Sequence, residues 1–391
     1  WKTQKGLNAK IVLVEDIVSN PNYDCDGIFG DGSDSPKFND TQAHIRNFIK
    51  DAYQNWGTQY VLLGGDDEII PARGVFAAVW EVYDYNIPCD MYYGCLDGSW
   101  DSDNDTVFGE EYYTDLFAEV YIGRAPVDNA VEASNFVRKT LAYEQCTDEN
   151  HLSKALMIGE RLDSSTEGAN SKDLVTDIIP QYTTIKLYER DGTFGRNAVI
   201  NELNKGPNIV NHAGHANQVY VMGLETADVD NLNNTNYFFA YSIGCLSAAF
   251  DEATGGSQDS IGEHFVTGTS GAFAYIGNSR YGWYSPGSAM GPSDVMDRAF
   301  FSLVNNGTRN LGMALQLSKQ QHSTKMRWIL YTLNLLGDPE TTLVTEVKTP
   351  TADFQTVESL TPPCLSGLVE LHGTATRGTS PNATFSNFTI Q

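Results

Sequence analysis

The chain has 391 residues, of which 41% are hydrophobic and 11% aromatic, enough to build packed cores in two or three domains. Its 50 acidic and 25 basic residues give a net charge of −25, and no cluster of Lys and Arg stands out, so we expect no nucleic-acid partner. No apolar run reaches the roughly 18 residues that a membrane-spanning helix needs, so we expect no insertion into a membrane.

Strand-like and helix-like segments alternate through the first part of the chain. Strands are predicted at 10–14, 60–63 and 119–122. The best-defined helix is predicted from Thr41 to Trp56, because its apolar residues recur at three- and four-residue spacing, with Asp40 as a cap before it and Gly57 after it. A second helix is predicted over 130–143.

The alternation resumes after a polar segment at 146–153. Strands are predicted at 155–158, 184–187, 209–211, 237–243 and 272–276, and helices at 172–179, 197–204, 261–267, 294–305 and 311–318. Short apolar runs that alternate with helices indicate βαβ units and largely parallel sheets. We therefore predict two tandem α/β domains, at 1–150 and 151–346. Residues 347–391 are rich in Thr, Ser, Pro and Gly and are predicted to form a β-rich tail or the start of an immunoglobulin-like domain.

Two of the predicted strands end in residues suited to nucleophilic catalysis. The strand at 209–211 leads into His212 and His215, and the strand at 237–243 leads into Cys245. Ligands of parallel α/β sheets bind beyond the carboxyl ends of the strands, so these side chains are expected to share one crevice. A thiol nucleophile needs a nearby imidazole to take its proton. The alternative is that Cys245 and the histidines are structural core residues, and His212 competes with His215 as the base.

Small residues flank both candidates. Gly214 and Ala216 surround His215, and Gly244 precedes Cys245. Positions without bulky side chains let a peptide backbone come close to the nucleophile and to the N–H groups that stabilise an oxyanion. We therefore predict that Gly214 and Gly244 contact the substrate.

The block at 208–283 resembles the catalytic core of the gingipains, cysteine peptidases related to the caspases. That family has one apolar strand that ends in His-Gly and a later strand that ends in Cys. His215 and Cys245 occupy these positions here, and Ala216 stands where the family has Gly. Framework motifs in the family's order extend the resemblance over most of the chain: Val61-Leu62-Leu63-Gly64-Gly65-Asp66, Tyr121-Ile122-Gly123-Arg124 and Gly337-Asp338-Pro339.

The resemblance implies two tandem caspase-like α/β/α sandwich domains, of which the second is catalytic. It implies that Cys245 is the nucleophile, that His215 transfers its proton, and that the N–H groups of Ala216 and Cys245 form the oxyanion hole. Trp283 lies in a segment similar to the family's specificity-pocket wall, so it is predicted to bind substrate. The implied protein is a secreted cysteine endopeptidase, extracellular or at the cell surface, that cleaves proteins or peptides without an organic cofactor.

A third member of the catalytic group is less clearly marked by the sequence. Glu160 follows the predicted strand at 155–158 at the same edge of the sheet, and we predict that it orients the imidazole of His215. Asp163 is the second candidate for this role. The alternative for both is an ordinary solvated carboxylate.

An acidic loop lies between the first two predicted helices. Asp101, Asp103 and Asp105 stand at alternate positions, which brings carboxylate oxygens together as a hard cation requires. Gingipain relatives carry a similar loop, which supports a structural calcium site with these three residues as ligands. The alternative is a plain acidic surface turn.

Two other functions are compatible with the sequence: a catalytically silent relative that acts as a binding module, and a sortase-like acyl transferase. The best-known gingipains cut after Arg or Lys, which implies an acid beneath the specificity pocket. Asp163, Glu167 and Asp173 are the candidates, although Gly168 or Asn170 falls at the most natural alignment position. Cleavage after Arg or Lys is the prediction.

Overall fold

The computed structural model describes residues 1–25, 39–98, 100–101, 103, 105–111, 114–251, 259–323 and 326–344, and two short strands near the C-terminus. The strands are β1 (Tyr60–Gly64), β2 (Arg73–Val79), β3 (Val82–Cys89), β4 (Tyr121–Ala125), β5 (Lys154–Gly159), β6 (Thr183–Tyr188), β7 (Ile209–Ala213), β8 (Tyr220–Val221), β9 (Leu224–Glu225), β10 (Phe238–Ser242), β11 (Ala272–Asn278), β12 (Leu333–Leu336), β13 (Gly373–Ala375) and β14 (Ala383–Phe385). The helices are α1 (Val14–Val18), α2 (Thr41–Trp56), α3 (Ala130–Glu144), α4 (Glu149–Leu152), α5 (Gly168–Ile178), α6 (Arg196–Asn204), α7 (Thr226–Asp230), α8 (Ile261–Thr267), α9 (Pro292–Asn305), α10 (Leu311–Gln320) and α11 (Arg327–Thr332).

Within this part of the chain, eight strands form one mixed sheet in the order β1-β4-β12-β11-β10-β7-β5-β6. Neighbouring strands are parallel except for β11 and β12, which are antiparallel. The prediction of an α/β protein with mostly parallel strands is therefore confirmed.

The sheet also differs from the expected pair of tandem sheets. β12 pairs with β11 on one side and, through Leu336 and Arg124, with β4 on the other, so both predicted segments contribute strands to a single sheet. The sequence did not predict β12, the strand that joins β4 of the first predicted segment to β11 of the second. The domain limits at 150 and 346 stay a prediction.

The central strands are buried on both faces. Successive residues of β10 alternate between two hydrophobic clusters, with Phe239 and Tyr241 in one, and Phe238 and Ala240 in the other. Helices α5, α9 and α10 contribute apolar side chains to the first cluster, and α6, α7 and α8 contribute to the second. Helices thus cover both faces of the sheet, which explains why these strands are nearly continuous apolar runs.

The most periodic element was predicted correctly. Helix α2 spans Thr41–Trp56, the Asp40 carboxylate accepts the Ala43 N–H at its start, and Gly57 closes it with a left-handed φ of 67°. The strand predicted at 10–14 is wrong, because Val14 begins α1 and Ile11 is 91% exposed with no partner strand among the described residues. The hairpin β2–β3 was not predicted.

The C-terminal segment is described only at β13 and β14, which pair antiparallel. The other residues of 347–391 lie outside the described part of the chain, so the β-rich or immunoglobulin-like tail stays a prediction. Across the described ranges, no helix is both long enough and apolar enough to cross a bilayer.

Three neighbouring strands end together at the edge where the candidate site lies. β7 is central: it pairs Ala213 with Gly159 of β5 and His212 with Ser242 of β10. Glu160 follows β5, His215 follows β7 and Cys245 follows β10. The topology therefore places all three predicted catalytic residues at the carboxyl edge of adjacent parallel strands, as expected for a ligand crevice.

Candidate active site

The loops that carry His215 and Cys245 pack against each other. His215 lies three residues after His212 and Cys245 lies three residues after Ser242, and His212 and Ser242 are register partners. A Cβ atom added to Gly244 would lie 2.6 Å from the Ala216 Cβ atom, closer than real atoms approach. The two loops are thus in direct contact next to the predicted nucleophile.

The thiol of Cys245 is partly buried and points toward a backbone carbonyl. Its Sγ atom lies 3.8 Å from the carbonyl oxygen of Gly282, to which it can donate. Burial raises the pKa of the Cys245 thiol, and the bond to Gly282 lowers it by a smaller amount. The resting group is therefore the protonated thiol, and it needs a base before it can act as a nucleophile.

The imidazole of His215 is exposed and leaves one nitrogen available. Its Nε2 atom lies 2.9 Å from the carbonyl oxygen of Leu162. A carbonyl only accepts, so Nε2 carries the proton and Nδ1 of the neutral ring is the basic nitrogen. Each reactive side chain thus bonds to a carbonyl in this structure, and the Cys245–His215 contact itself stays a prediction.

The predicted oxyanion hole has two N–H groups without a partner in the described part of the chain, those of Cys245 and Ala216. The first belongs to the Gly244–Cys245 peptide, whose carbonyl oxygen accepts the Asn278 Nδ2 atom at 3.0 Å. Because a trans peptide is planar, fixing the carbonyl on one side also fixes the N–H on the other. Asn278 therefore orients the donor that a tetrahedral oxyanion would use.

Glu160 does not contact His215, which corrects the prediction for this residue. Its Oε1 atom lies 2.8 Å from Nε2 of His212, and both side chains are buried. The reason is the register: β5 and β7 pair Ile158 with His212, so the residue just beyond β5 lies beside His212 and not beside the exposed loop that follows β7. Leu162, from the same loop as Glu160, supplies the contact to His215 through its backbone.

Asp163 is engaged in a local turn. Its carboxylate accepts the Ser165 backbone N–H at 2.7 Å, the Ser165 hydroxyl at 2.8 Å and the Thr166 hydroxyl at 3.1 Å. These bonds, that of the Ser165 N–H first, hold the pKa of the carboxyl at about 2. The group is ionised at neutral pH, and it does not take the orienting position that was its alternative role.

The absence of a side chain at Gly214 and Gly244 is required by packing within the protein. A Cβ atom on Gly214 would overlap Nε2 of His212 and lie 2.5 Å from Oε1 of Glu160. At Gly244 it would meet Ala216. Packing between the loops therefore accounts for both glycines, and their contact with substrate stays a prediction.

Trp283 follows the residue whose carbonyl faces the nucleophile. Its backbone is fixed from both sides by Ser293: the Trp283 N–H donates to the Ser293 hydroxyl at 2.9 Å, and its carbonyl accepts the Ser293 N–H at 3.0 Å. Its ring makes edge-on contacts with Trp80, at 5.5 Å between centroids, and with Trp328, at 6.0 Å. Trp283 is thus held in a fixed position one residue after Gly282, and its role as a pocket wall stays a prediction.

Sequence reasoning missed Asn278, Ser242 and Trp80. Asn278 and Ser242 each end a buried apolar strand, and a polar residue at that position is a usable signal for a site at the carboxyl edge of a sheet. Trp80 comes from the unpredicted hairpin β2–β3, far from Trp283 in the chain, and nothing in the local pattern points to it.

The acidic loop brings its three predicted ligands together. Oxygen atoms of Asp101, Asp103 and Asp105 all lie within 4.8 Å of one another, with Asp101 buried and the other two exposed. That spacing suits oxygen ligands on one cation with bonds of about 2.3–2.6 Å. The Asp101 carboxylate also accepts the backbone N–H groups of Asp105, at 3.1 Å, and Thr106, at 3.2 Å, which closes the loop. The donor set therefore fits a hard cation such as calcium.

Known proteins with related sequences are peptidases. Gingipain R2 of Porphyromonas gingivalis is 25% identical over 265 residues, which is 64% of this chain and 30% of that protein. Lys-gingipain HG66 of the same organism is 25% identical over 297 residues, 71% of this chain and 14% of that protein. The chain thus spans less than a third of the length of these relatives.

The fold and the family follow from two further comparisons. The crystal structure of the Arg specific cysteine proteinase gingipain R matches with a TM-score of 0.70 at 19% identity, over 100% of this chain and 88% of that one. This likeness confirms the caspase-like α/β fold. The family model described as peptidase family C25 matches residues 1–344. The chain therefore belongs to peptidase family C25, the family of the gingipains that its sequence resembles.

Proposed function

We propose that this chain is a secreted cysteine endopeptidase that hydrolyses peptide bonds with Cys245 as nucleophile and His215 as base. One observation carries the proposal: in a member of family C25, neighbouring parallel strands deliver a thiol and an imidazole to the same edge of the sheet, in matching register. Both residues follow their strands in loops that touch.

The reaction follows from the state of each group. Nδ1 of His215 takes the thiol proton, and the Cys245 thiolate attacks the peptide carbonyl carbon to form a C–S bond. The N–H groups of Cys245 and Ala216 stabilise the oxyanion, and the imidazolium then protonates the departing amine. Water, deprotonated by the same imidazole, cleaves the thioester and restores the thiol.

The group that orients the imidazole of His215 is the backbone carbonyl of Leu162, and not the carboxylate of Glu160 that the sequence suggested. Leu162 accepts the Nε2 proton of His215 and so fixes the tautomer whose Nδ1 is free to accept a proton. A neutral acceptor stabilises an imidazolium less than a carboxylate does, so the base is expected to work with a smaller electrostatic contribution.

Specificity for Arg or Lys before the cut is part of the proposal. Of the three acids predicted for the pocket, Glu167 bonds to Arg161, and Asp173 bonds to Lys186 and Arg190. Asp163 has no cationic partner among the described residues, and it lies in the loop that contacts His215.

The segment after Trp283 reaches the same loop. The N–H of Gly287 donates to the Thr166 hydroxyl at 2.7 Å. Asp163 therefore lies in a loop that bonds both to the proposed base and to the segment after Trp283, and an ionised carboxylate there favours a basic side chain. The relatives whose names state a preference are an Arg specific proteinase and a Lys-gingipain.

Location and calcium complete the proposal. We assign the protein to the extracellular space or the cell surface, where an excess of 25 negative charges supports solubility and attracts basic peptides. A calcium ion bound by Asp101, Asp103 and Asp105 would stabilise a loop whose charges otherwise repel one another. Its role is structural, and the proposed reaction uses no organic cofactor.

The test is activity-based labelling combined with hydrolysis. A peptidyl acyloxymethyl ketone should label the wild type at Cys245, and Cys245→Ala should lose both the label and the cleavage of fluorogenic peptides. His215→Ala should also lose the cleavage of fluorogenic peptides. His264→Ala is its control and should keep this activity, because His264 is a partly exposed histidine of α8 that pairs with Asp230. A wild type that neither reacts with the probe nor cleaves peptides would be a silent binding module.

Acyl transfer is separated from hydrolysis by adding an amine acceptor. Mass spectrometry of the products should find carboxylic acids, which result when water cleaves the thioester. Predominant amide products with the added amine would favour the sortase-like alternative.

A further inference from the structure

His212 forms a buried bridge between the ends of three strands. Its Nε2 atom lies 2.8 Å from Oε1 of Glu160, which follows β5, and its Nδ1 atom lies 2.9 Å from Oγ of Ser242, the last residue of β10. The ring is 0% exposed and Glu160 is 7% exposed. A buried imidazole needs a hydrogen-bond partner for each ring nitrogen, and Glu160 and Ser242 supply the two partners of His212.

The bonds have one consistent direction. A carboxylate only accepts hydrogen bonds, so Nε2 of His212 carries the hydrogen and donates a bond to Glu160. In the neutral ring, Nδ1 then accepts the Ser242 hydroxyl. The oxygen of that hydroxyl accepts the Gly244 N–H at 3.1 Å. Hydrogen bonds thus run from Glu160 through His212 and Ser242 to the residue before the nucleophile.

This chain of bonds ends at the Ile243–Gly244 peptide, which directly precedes the peptide that carries the Cys245 N–H. Ser242 holds the N–H of Gly244, and Asn278 holds its carbonyl, at 3.0 Å. Asn278 thus holds the plane of the Gly244–Cys245 peptide, and Ser242 holds the Ile243–Gly244 peptide on the other side of the Gly244 Cα atom. With both peptides held, the direction of the Cys245 N–H is fixed. Gly214 covers the His212–Glu160 pair without space for a side chain, so the bridge also supports the loop that leads to His215.

We propose that His212 is a positioning residue that acts through Ser242 to aim the Cys245 N–H at the oxyanion. This inference rests on the proposed peptidase function and adds a residue that touches neither the substrate nor the thiol. Its contribution arises only in the transition state, because the oxyanion is absent from the bound substrate. Loss of the bridge should therefore lower kcat and leave KM nearly unchanged.

Three variants separate this role from packing. Ser242→Ala removes the hydroxyl that holds Gly244 and little volume. His212→Asn places an amide near the position of Nδ1 and can keep the Ser242 bond, whereas His212→Gln reaches the position of Nε2 and keeps the Glu160 bond instead. Each variant is first checked for folding by circular dichroism and thermal melting.

The variants should respond differently to an inhibitor that forms an oxyanion and to one that does not. Ser242→Ala and His212→Gln should lower kcat by about 10- to 100-fold, below the roughly 10²- to 10³-fold loss that follows removal of an entire oxyanion donor. A peptide aldehyde, which forms a tetrahedral adduct, should bind at least about tenfold more weakly to both. Iodoacetamide, which alkylates the thiol without an oxyanion, should react at nearly the wild-type rate. His212→Asn should stay close to the wild type in all three measurements.

Other outcomes overturn the inference. If Ser242→Ala folds and keeps the wild-type kcat and aldehyde affinity, the bridge has no positioning role. If alkylation slows as much as catalysis does, His212 affects the reactivity of the Cys245 thiol and not the orientation of the Cys245 N–H. If His212→Asn does not fold, Ser242→Ala decides alone. A wild type that is inactive and unlabelled refutes the peptidase function itself, whereas an active wild type with unaffected variants refutes only this inference.

Discussion

The Nδ2 atom of Asn278 donates to the carbonyl oxygen of Gly244 at 3.0 Å, which ties the end of β11 to the loop that carries the proposed nucleophile, Cys245. The Oδ1 atom of the same amide accepts the Thr332 hydroxyl at 2.9 Å, so the amide cannot rotate without losing both bonds. Asn278 is 0% exposed, which removes water as a substitute partner. The orientation of the Gly244–Cys245 peptide is therefore set from the core of the sheet.

Asn278→Ala should lower kcat by about 10- to 100-fold, because the peptide that presents the Cys245 N–H loses its anchor. Thr332→Val is the matched control: it removes the other bond of the same amide and keeps the donor to Gly244. Steady-state kinetics on a fluorogenic peptide compare the two. Equal losses in both variants would mean that Asn278 acts through general stability and not through the peptide.

The two histidines should behave differently. Cys245→Ala should abolish hydrolysis without unfolding the protein, because it removes the proposed nucleophile and little volume. His215→Ala should lose on the order of 10²- to 10⁴-fold in kcat/KM, since it removes the proposed base. His212→Ala should lose less activity and more stability, because it leaves Glu160 buried without its partner. The reverse order of activities would show that the base is His212.

Alkylation of Cys245 should depend on pH in a way that follows its burial. The raised pKa of the thiol means that the free enzyme contains little thiolate at neutral pH. The rate of reaction with iodoacetamide should therefore rise with pH, with a midpoint above that of a model thiol, which is near 8.5. A midpoint below the model value would indicate a preformed ion pair with His215.

Two buried carboxyls should make the protein less stable as the pH rises. Asp66, just after β1, and Glu263, in α8, are 6% and 1% exposed, and burial raises the pKa of each. A folded-state pKa above the unfolded value of about 4 means that the folded state binds more protons between that pH and its own pKa. The contribution of these two carboxyls to the free energy of unfolding is therefore fully present below about pH 4, and it is lost as the pH rises through their raised folded-state pKa.

Urea unfolding at several pH values, in the presence of a chelator, measures this slope. Asp66→Asn should flatten it and should raise the unfolding midpoint at pH 8, because the amide cannot ionise. Asp191→Asn, at an exposed carboxylate that pairs with Arg190, is the control and should change little. A wild type whose stability rises between pH 5 and pH 8 would contradict the expected fall.

Calcium should stabilise the folded protein by mass action on the native state. Millimolar calcium should raise the melting temperature relative to chelator, and Asp103→Ala should remove most of the gain because it deletes one of three converging carboxylates. Asp191→Ala lies in another turn and should keep the gain. Identical melting curves with calcium and with chelator would leave the loop as an acidic surface turn.

The sequence predicted those parts of the fold that depend on local pattern. β7 and β10 could be placed because strands buried on both faces are continuous apolar runs, and α2 because its period and its cap Asp40 agree. β12 could not be placed, since a segment of only four residues, three of them Leu, becomes a strand only by pairing with β4 and β11, far away in the chain.

The same division applies to the site. The strand ends indicated Cys245 and two competing histidines, His212 and His215, as candidates, because the carboxyl edge of a parallel sheet is a property of topology. The resemblance to the gingipains then favoured His215. The partner of Glu160 was predicted wrongly, because one of the two histidines within four residues is buried and the other exposed, and only the register between β5 and β7 decides which one the carboxylate meets.

Selection for Arg or Lys before the cut should depend on Asp163. This carboxylate is ionised and lies in the loop that touches His215 through Leu162 and reaches Gly287, beyond Trp283, through Thr166. A guanidinium or ammonium group between Trp283 and Asp163 would meet an aromatic surface on one side and a negative charge on the other. The acids at Glu167 and Asp173 are already paired with basic side chains of the protein.

A positional library of fluorogenic peptides should give cleavage after Arg and Lys with the wild type. Asp163→Asn should reduce kcat/KM for basic residues by about tenfold or more and leave the rate for uncharged residues nearly constant, because the loss of one charge-assisted contact is worth about 1.5–3 kcal/mol. Glu167→Gln is the matched control, since it neutralises an acid of the same loop that faces Arg161. Clear selection by the wild type for acidic or aliphatic residues would refute the preference. An equal loss in both variants would place the effect in the fold of the loop and not in the pocket.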